Sequence, residues 1–268
     1  MLQQAQMKYF FHLSYKGTRY RGWQRQATAH SLQAEIEAAL AKMAKTHIPV
    51  IGCGRTDAGV HASQYVMHLS VEKQWDFDPV ERLNKMLPND ISVYACMPVS
   101  DEAHAQYDAT ERMYSYFIHA HKDPFLAELS SYYPMKNLDI SSMQEAVKLL
   151  NGDQDCRALC KKPDIYTHTR CNISHASLSV HVRGDRMRFC IRANRFLKGM
   201  VRIIVGNLLE IGRGRLSLQA FEAALNQQQP LRYFQSAYPQ GLYLAKVTYP
   251  YLELPVMSEI SALMNAGF

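Results

Sequence analysis

Ile48-Pro49-Val50-Ile51-Gly52-Cys53-Gly54-Arg55-Thr56-Asp57-Ala58-Gly59-Val60-His61-Ala62-Ser63-Gln64-Tyr65-Val66-Met67-His68-Leu69-Ser70-Val71 is the stretch whose reading decides the fold. Its apolar opening, Ile48 to Ile51, predicts a strand. Its end alternates: Tyr65, Met67, Leu69 and Val71 point one way, Gln64, Val66, His68 and Ser70 the other, which predicts a second strand. Between them lies a loop bracketed by Gly54 and Gly59, with a guanidinium and a carboxylate two residues apart. A carboxylate in such a loop serves as nucleophile, general base or metal ligand, or as plain turn chemistry, because Asp bonds its own backbone well. Nothing nearby offers the second carboxylate of a glycosidase or a metal cluster.

Working outward toward the N-terminus, Tyr9, Phe11, Leu13 and Tyr15 alternate as a strand. The loop Lys16-Gly17-Thr18-Arg19-Tyr20-Arg21-Gly22-Trp23-Gln24-Arg25-Gln26 combines cations with aromatics. Arg19, Arg21 and Arg25 suit phosphates and Trp23 a base; the other reading is a solvated loop with Trp23 folded into the core. Ser31 is placed to cap a helix with the stripe Leu32, Ile36, Ala39, Leu40 and Met43. Toward the C-terminus, a helix opens at Pro79 and runs to Met86, and Ile91, Val93, Ala95 and Met97 form a strand. The order is strand, helix, strand, strand, helix, strand.

A looser version recurs in the second half. Tyr114, Tyr116 and Ile118 mark a strand, and Ser142 with Glu145 has capping-box spacing ahead of a helix. Ala176, Leu178, Val180 and Val182 join Met187, Phe189, Ile191 and Ala193 through a Gly184-Asp185 turn as a hairpin. Helices at 196–211 and about 218–226 and a strand near 242–249 complete the pattern, with 251–268 as a peripheral tail. The fold class is α+β: two ferredoxin-like, RRM-like halves sharing a large, mostly antiparallel sheet flanked by helices. The expected domains are 1–105, carrying the Asp57 loop, and 106–268.

The helix at 196–211 is apolar on nearly all sides, which predicts burial. Gly199 and Gly206 in its interior would each cost roughly 1 kcal/mol relative to Ala, compensated by close packing. Arg202 in its middle needs an anionic partner, a polar cleft or a narrow exposed edge. Asp57, from the other half, is the partner that would stay ionised and oriented by such a pairing.

The chain has 268 residues, 47% of them apolar, a net charge of +6 and six cysteines. No apolar run approaches the ~20 residues of a membrane helix. The opening residues, Met1 to Gln6, show no secretory signal, so a cytoplasmic protein with reduced thiols is expected. The positive charge suits a polyanionic partner. No Gly-x-Ser-x-Gly elbow points to a serine hydrolase.

The sequence resembles the bacterial tRNA pseudouridine synthase A family. The matches are Tyr15-Lys16-Gly17, Gly22-Trp23-Gln24-Arg25-Gln26, Gly54-Arg55-Thr56-Asp57-Ala58-Gly59-Val60-His61-Ala62, Leu83-Asn84, Leu87-Pro88-Asn89-Asp90-Ile91, Arg112-Met113-Tyr114-Ser115-Tyr116, Met200-Val201-Arg202-Ile203-Ile204-Val205-Gly206 and Gly241-Leu242-Tyr243-Leu244. They keep the family's order over nearly the whole chain. The resemblance implies isomerisation of tRNA uridine on the 3′ side of the anticodon stem-loop, without metal or organic cofactor, by a homodimer. It implies Asp57 as the catalytic carboxylate, Arg202 as its partner, and Tyr114 against the target base. Leu242 would close the pocket and Arg55 would hold the RNA open.

Two departures fall on the substrate side. Ala103-His104-Ala105-Gln106 stands where the family usually has Phe-His-Ala-Arg, and Cys156-Arg157-Ala158-Leu159 replaces a Phe-Thr-Ser-Phe-like element. They leave room for a different target uridine, or for a tRNA-binding or RNA-folding protein of weak catalysis. Cys156, Cys160, His168 and Cys171, with His175 nearby, have zinc-ligand types but not a standard spacing, and reduced thiols are expected instead.

Overall fold

The computed structural model describes residues 7–134, 137–227, 236–255 and 257. These form an α+β fold of ten strands in a mostly antiparallel sheet, with five helices. By contact density the chain divides into two compact units, 7–110 with 244–255, and 111–243.

The first unit holds β1 (Met7–Tyr15), α1 (Leu32–Ala44), β2 (Ile51–Gly52), β3 (His61–Val71), α2 (Pro79–Met86) and β4 (Ile91–Val99), with most of β10 (Leu242–Thr248). Its strand order is β4-β1-β3-β10, with β2 paired to β3. Ser31 caps α1 as expected, its side chain accepting the Ala34 N–H, and the whole stripe from Leu32 to Met43 is buried. Each large side chain so buried contributes roughly 1.5–3 kcal/mol. Helix α2 spans Pro79 to Met86 as read, capped by Asp78, which accepts the N–H groups of Val80 and Glu81.

Strand β2 is only two residues long, shorter than the apolar run suggested, and Ile51 is exposed. Pro49 has no N–H to give a ladder, and the pairing begins past it, with Cys53 donating to the Val66 carbonyl at 2.8 Å. On β3 both alternating faces are buried. Its polar positions are therefore bonded internally: Gln64 accepts the Val247 N–H at 2.9 Å, and His68 Nδ1 accepts the Ala105 N–H at 3.1 Å.

The second unit holds β5 (Glu111–His119), β6 (Ser131–Tyr132), α3 (Ile140–Lys148), β7 (Gly152–Asp155), β8 (Arg170–Val180), β9 (Arg186–Ala193), α4 (Met200–Gly212) and α5 (Leu218–Gln227). Its order is β5-β9-β8-β7, antiparallel throughout, with β6 added parallel to β5. Short β6 and the polar β7 carry no periodicity and escaped the sequence reading. The β8–β9 hairpin forms as expected, except that Val182 lies beyond the strand in its turn, 87% exposed.

Two helix starts move. Helix α3 is capped by Asp139, which accepts from both the backbone N–H and the hydroxyl of Ser142, so Ser142 sits inside the helix rather than before it. Helix α4 begins at Met200, not at 196, because Gly199 has φ +74 and interrupts the right-handed turn. Gly199 is thus an N-cap, and the interior cost ascribed to it does not arise. From Met200 to Gly212 every residue but Arg202 is buried, as the apolar pattern required. Of the tail at 251–268, residues 256 and 258–268 lie outside the described set; Leu254 is buried.

Burial, helped by the neighbouring His104 and Lys8, pulls the His68 imidazole down to about 4. Folded His68 thus stays neutral while the unfolded imidazole takes a proton near pH 6.5, so stability is lost as pH falls from about 6.5 toward 4. The loss amounts to at most about 3 kcal/mol. His68→Asn, which keeps an acceptor for Ala105, is expected to flatten that part of the stability–pH curve measured by urea denaturation.

Candidate active site and nucleic-acid interface

The Asp57 loop is fixed from below by the loop at 16–26. Trp23 donates its backbone N–H to the Thr56 carbonyl at 3.1 Å, and Gly59 donates to the Tyr20 carbonyl at 3.2 Å. His61, wholly buried, uses Nδ1 to accept the Gly17 N–H at 3.0 Å, which makes it a structural member of the loop. The hydroxyls of Tyr15 and Thr56 lie 2.8 Å apart in the interior, and Tyr65 donates its hydroxyl to the Gly54 carbonyl at 2.5 Å. Within the loop, Val60 donates to the Asp57 carbonyl at 3.2 Å and closes the turn. Thr56 is consequently buried, Asp57 half-buried and Arg55 exposed.

Gly22 is the residue that lets the two loops touch. It has φ +94, and a Cβ there would stand 2.6 Å from the Thr56 carbonyl oxygen.

The other residues of the loop at 16–26 divide by environment. Arg21 is exposed. Arg19 is exposed too, with Nε held by Asp90 at 2.7 Å; Asp90 also accepts the Tyr20 hydroxyl at 2.7 Å. Burial acts to raise the Asp90 carboxyl, but these two bonds outweigh it and hold it below its ordinary value. Arg25 meets the buried carboxylate of Glu37 at 2.5 Å. Trp23 is 2% exposed and packs against Tyr65 at 4.1 Å between ring centroids. Its ring belongs to the core, the second of the two readings open in the sequence.

In the second unit, Tyr114 lies on β5 opposite Ile191, half-buried, with its ring edge-on to Phe196 at 4.8 Å. Arg202 sits in the first turn of α4, half-buried, and its Nε donates to the Ala237 carbonyl at 2.7 Å. Leu242 opens β10 and is 6% exposed.

Cys156, Cys160 and Cys171 are buried, and all six cysteines are free thiols. A hydrogen bond with Cys171, together with burial, pushes the Cys156 thiol far up, so it stays protonated. His168 faces Arg195 at 3.1 Å, and His175 bonds Ser177 at 3.0 Å. Among the described residues no group of three or more His, Cys, Asp or Glu is arranged to hold a metal, and no helix is long and apolar enough to cross a membrane.

Residues 146–250 match the model of a family described as tRNA pseudouridine synthase. A protein of Parabacteroides distasonis named tRNA pseudouridine synthase A is 41% identical over 256 residues, covering 93% of this chain and 98% of its own. One of the same name from Bacteroides thetaiotaomicron is 39% identical, covering 97% of this chain and 98% of its own. Another, from Bacteroides fragilis, is 42% identical and covers 91% and 96%. The fold and these likenesses define an RNA-modifying isomerase of the pseudouridine synthase type. The chain belongs to the tRNA pseudouridine synthase A family.

Gly22→Ala should force the two loops apart, lowering unfolding free energy by about 1–3 kcal/mol. It should depress activity as well. Denaturant titration alongside a turnover assay checks both effects.

Proposed function

We propose that this protein isomerises uridine to pseudouridine in tRNA, on the 3′ side of the anticodon stem-loop. The observation that carries the reading is the Asp57 loop: hydrogen bonds with Trp23, Tyr20, Tyr15 and Val60 fix it, while Asp57 itself is half-buried and Arg55 exposed. That is preorganisation of a carboxylate, the state a reaction at a sugar carbon needs.

In the reaction the N1–C1′ bond breaks, the uracil turns, C5 bonds to C1′, the C5 proton leaves and N1 regains one. Bonds and protons balance without oxidant or reductant. The nucleotide must leave its helical stack to be turned over, and a flat aromatic wall retains the detached base. Asp57 acts on the ribose, Tyr114 lies against the base and assists proton movement at C5, and Leu242 closes the pocket. Arg202 keeps Asp57 ionised and oriented. Arg55 holds the opened RNA, and the exposed Arg19, Arg21 and Arg25 take phosphates; Trp23 supports their loop from the core. The protein works in the cytoplasm as a homodimer, for which light scattering should give twice the chain mass.

Release of tritium from C5-labelled uridine in tRNA tests this reading. Asp57→Asn is expected to lower the rate on the order of 10³-fold or more. Arg202→Met should cut single-turnover rate far more than tRNA affinity, because it removes a partner of the carboxylate and not a phosphate contact. Equal release by wild type and Asp57→Asn overturns the assignment.

A further inference from the structure

Arg202 has its Cα fixed by α4, yet a side chain with four rotatable bonds can still point in many directions. One of the groups that hold its head is a backbone carbonyl. Nε donates to the oxygen of Ala237 at 2.7 Å, and the Ala237 N–H donates back to the Arg202 carbonyl at 2.9 Å. Because the guanidinium is planar, fixing the Nε–H along one carbonyl direction narrows the orientations open to the whole group.

That carbonyl is only as steady as the strap carrying it. The strap passes from Ala237 through the turn Pro239–Gly241 into Leu242, and its next residue, Tyr238, is clasped on both backbone groups. The Tyr238 N–H donates to the Tyr133 hydroxyl at 3.0 Å. The Tyr238 carbonyl accepts the Tyr116 hydroxyl at 2.8 Å, and Ser131 Oγ stands 2.8 Å from the same Tyr116 oxygen. The rings of Tyr133 and Tyr238 stack at 5.3 Å and 20°. Tyr116 is fully buried, and burial pushes its hydroxyl far above the usual tyrosine range, so it remains a donor. It lies two residues from Tyr114, on the same side of β5. A buried hydroxyl bonded to a carbonyl contributes only modestly to stability, whereas loss of its direction moves the group beyond.

We propose that Tyr116 is a positioning residue for the reaction: through the Tyr238 carbonyl it steadies the strap whose Ala237 carbonyl aims the Arg202 guanidinium, with Tyr133 holding the other side of the same residue. The proposal rests on the reading of Arg202 as the cation that serves the catalytic carboxylate. Its chemistry is mechanical, since Tyr116 acts through the strap and Arg202 alone.

The test uses the full chain and C5-tritiated tRNA, with single-turnover rate, tRNA affinity by filter binding and urea stability measured on each variant. Tyr116→Phe keeps the ring and removes the hydroxyl. It should slow the single-turnover rate about tenfold and leave affinity within about twofold. Ser131→Ala should act in the same direction and less, which covers the case of a poorly folding Tyr116→Phe. In an Arg202→Lys background, Tyr116→Phe should slow the reaction by less than about twofold more, because the group it aims is already gone. Normal turnover by folded Tyr116→Phe, with Arg202→Lys impaired, overturns this proposal and leaves the functional reading standing. Full additivity in the double variant also overturns it. Normal turnover by Arg202→Lys removes the assignment of Arg202 itself, and the proposal with it.

Discussion

The approach of one backbone to another at Gly22 and Thr56 governs the first unit. A side chain at Gly22 would collide with the Thr56 carbonyl, and without the close approach the Trp23 N–H could not reach it. The contact joins the loop that carries Asp57 to the one that braces it. The loop carrying the carboxylate has little regular structure of its own, and buried side chains from distant parts of the sequence, Tyr15 and His61 among them, make up the difference. A loop held this way can leave a carboxylate half-exposed without leaving it mobile, which is the usual requirement for a reactive group on irregular backbone.

The second unit solves a related problem by another route. Helix α4 is buried at every position but one, and a helix surrounded by apolar neighbours cannot roll to re-aim that one side chain. Its orientation is also fixed from outside the helix, by the Ala237 carbonyl on the strap that leads into the Pro239–Gly241 turn. Rigid placement of the Cα and separate fixing of the guanidinium are distinct tasks, handled by different residues.

Regular elements were legible because their periodicity is local. The stripe of α1, the proline start of α2, the alternation of β1, β3 and β4 and the hairpin at Gly184 could all be read off neighbouring residues. What escaped were features set by something remote or by a single backbone angle. Strands β6 and β7 are two and four residues long, too short for a period to show. The start of α4 depends on the left-handed Gly199, which a hydrophobicity pattern passes over. Composition left Trp23 open between a base contact and the core, and it is Tyr65, supplied by a strand some forty residues on, that packs its ring inside. The Asp57 loop and the stretch from Tyr15 to Gln26 both stood out as motifs, but that Tyr15, Gly17 and Gly22 brace the first from the second shows only once the chain folds back on itself.

Helix α2 carries a consequence for how the protein behaves in concentrated solution. Strand β4 lies at one margin of the sheet order and would offer unsatisfied peptide groups to any passing chain. At Val93 both are already taken: the Asn84 amide accepts the N–H at 2.8 Å and donates to the carbonyl at 2.7 Å, as a neighbouring strand would. One side-chain amide thus imitates a peptide bond and blunts the margin where self-association by strand addition would otherwise begin.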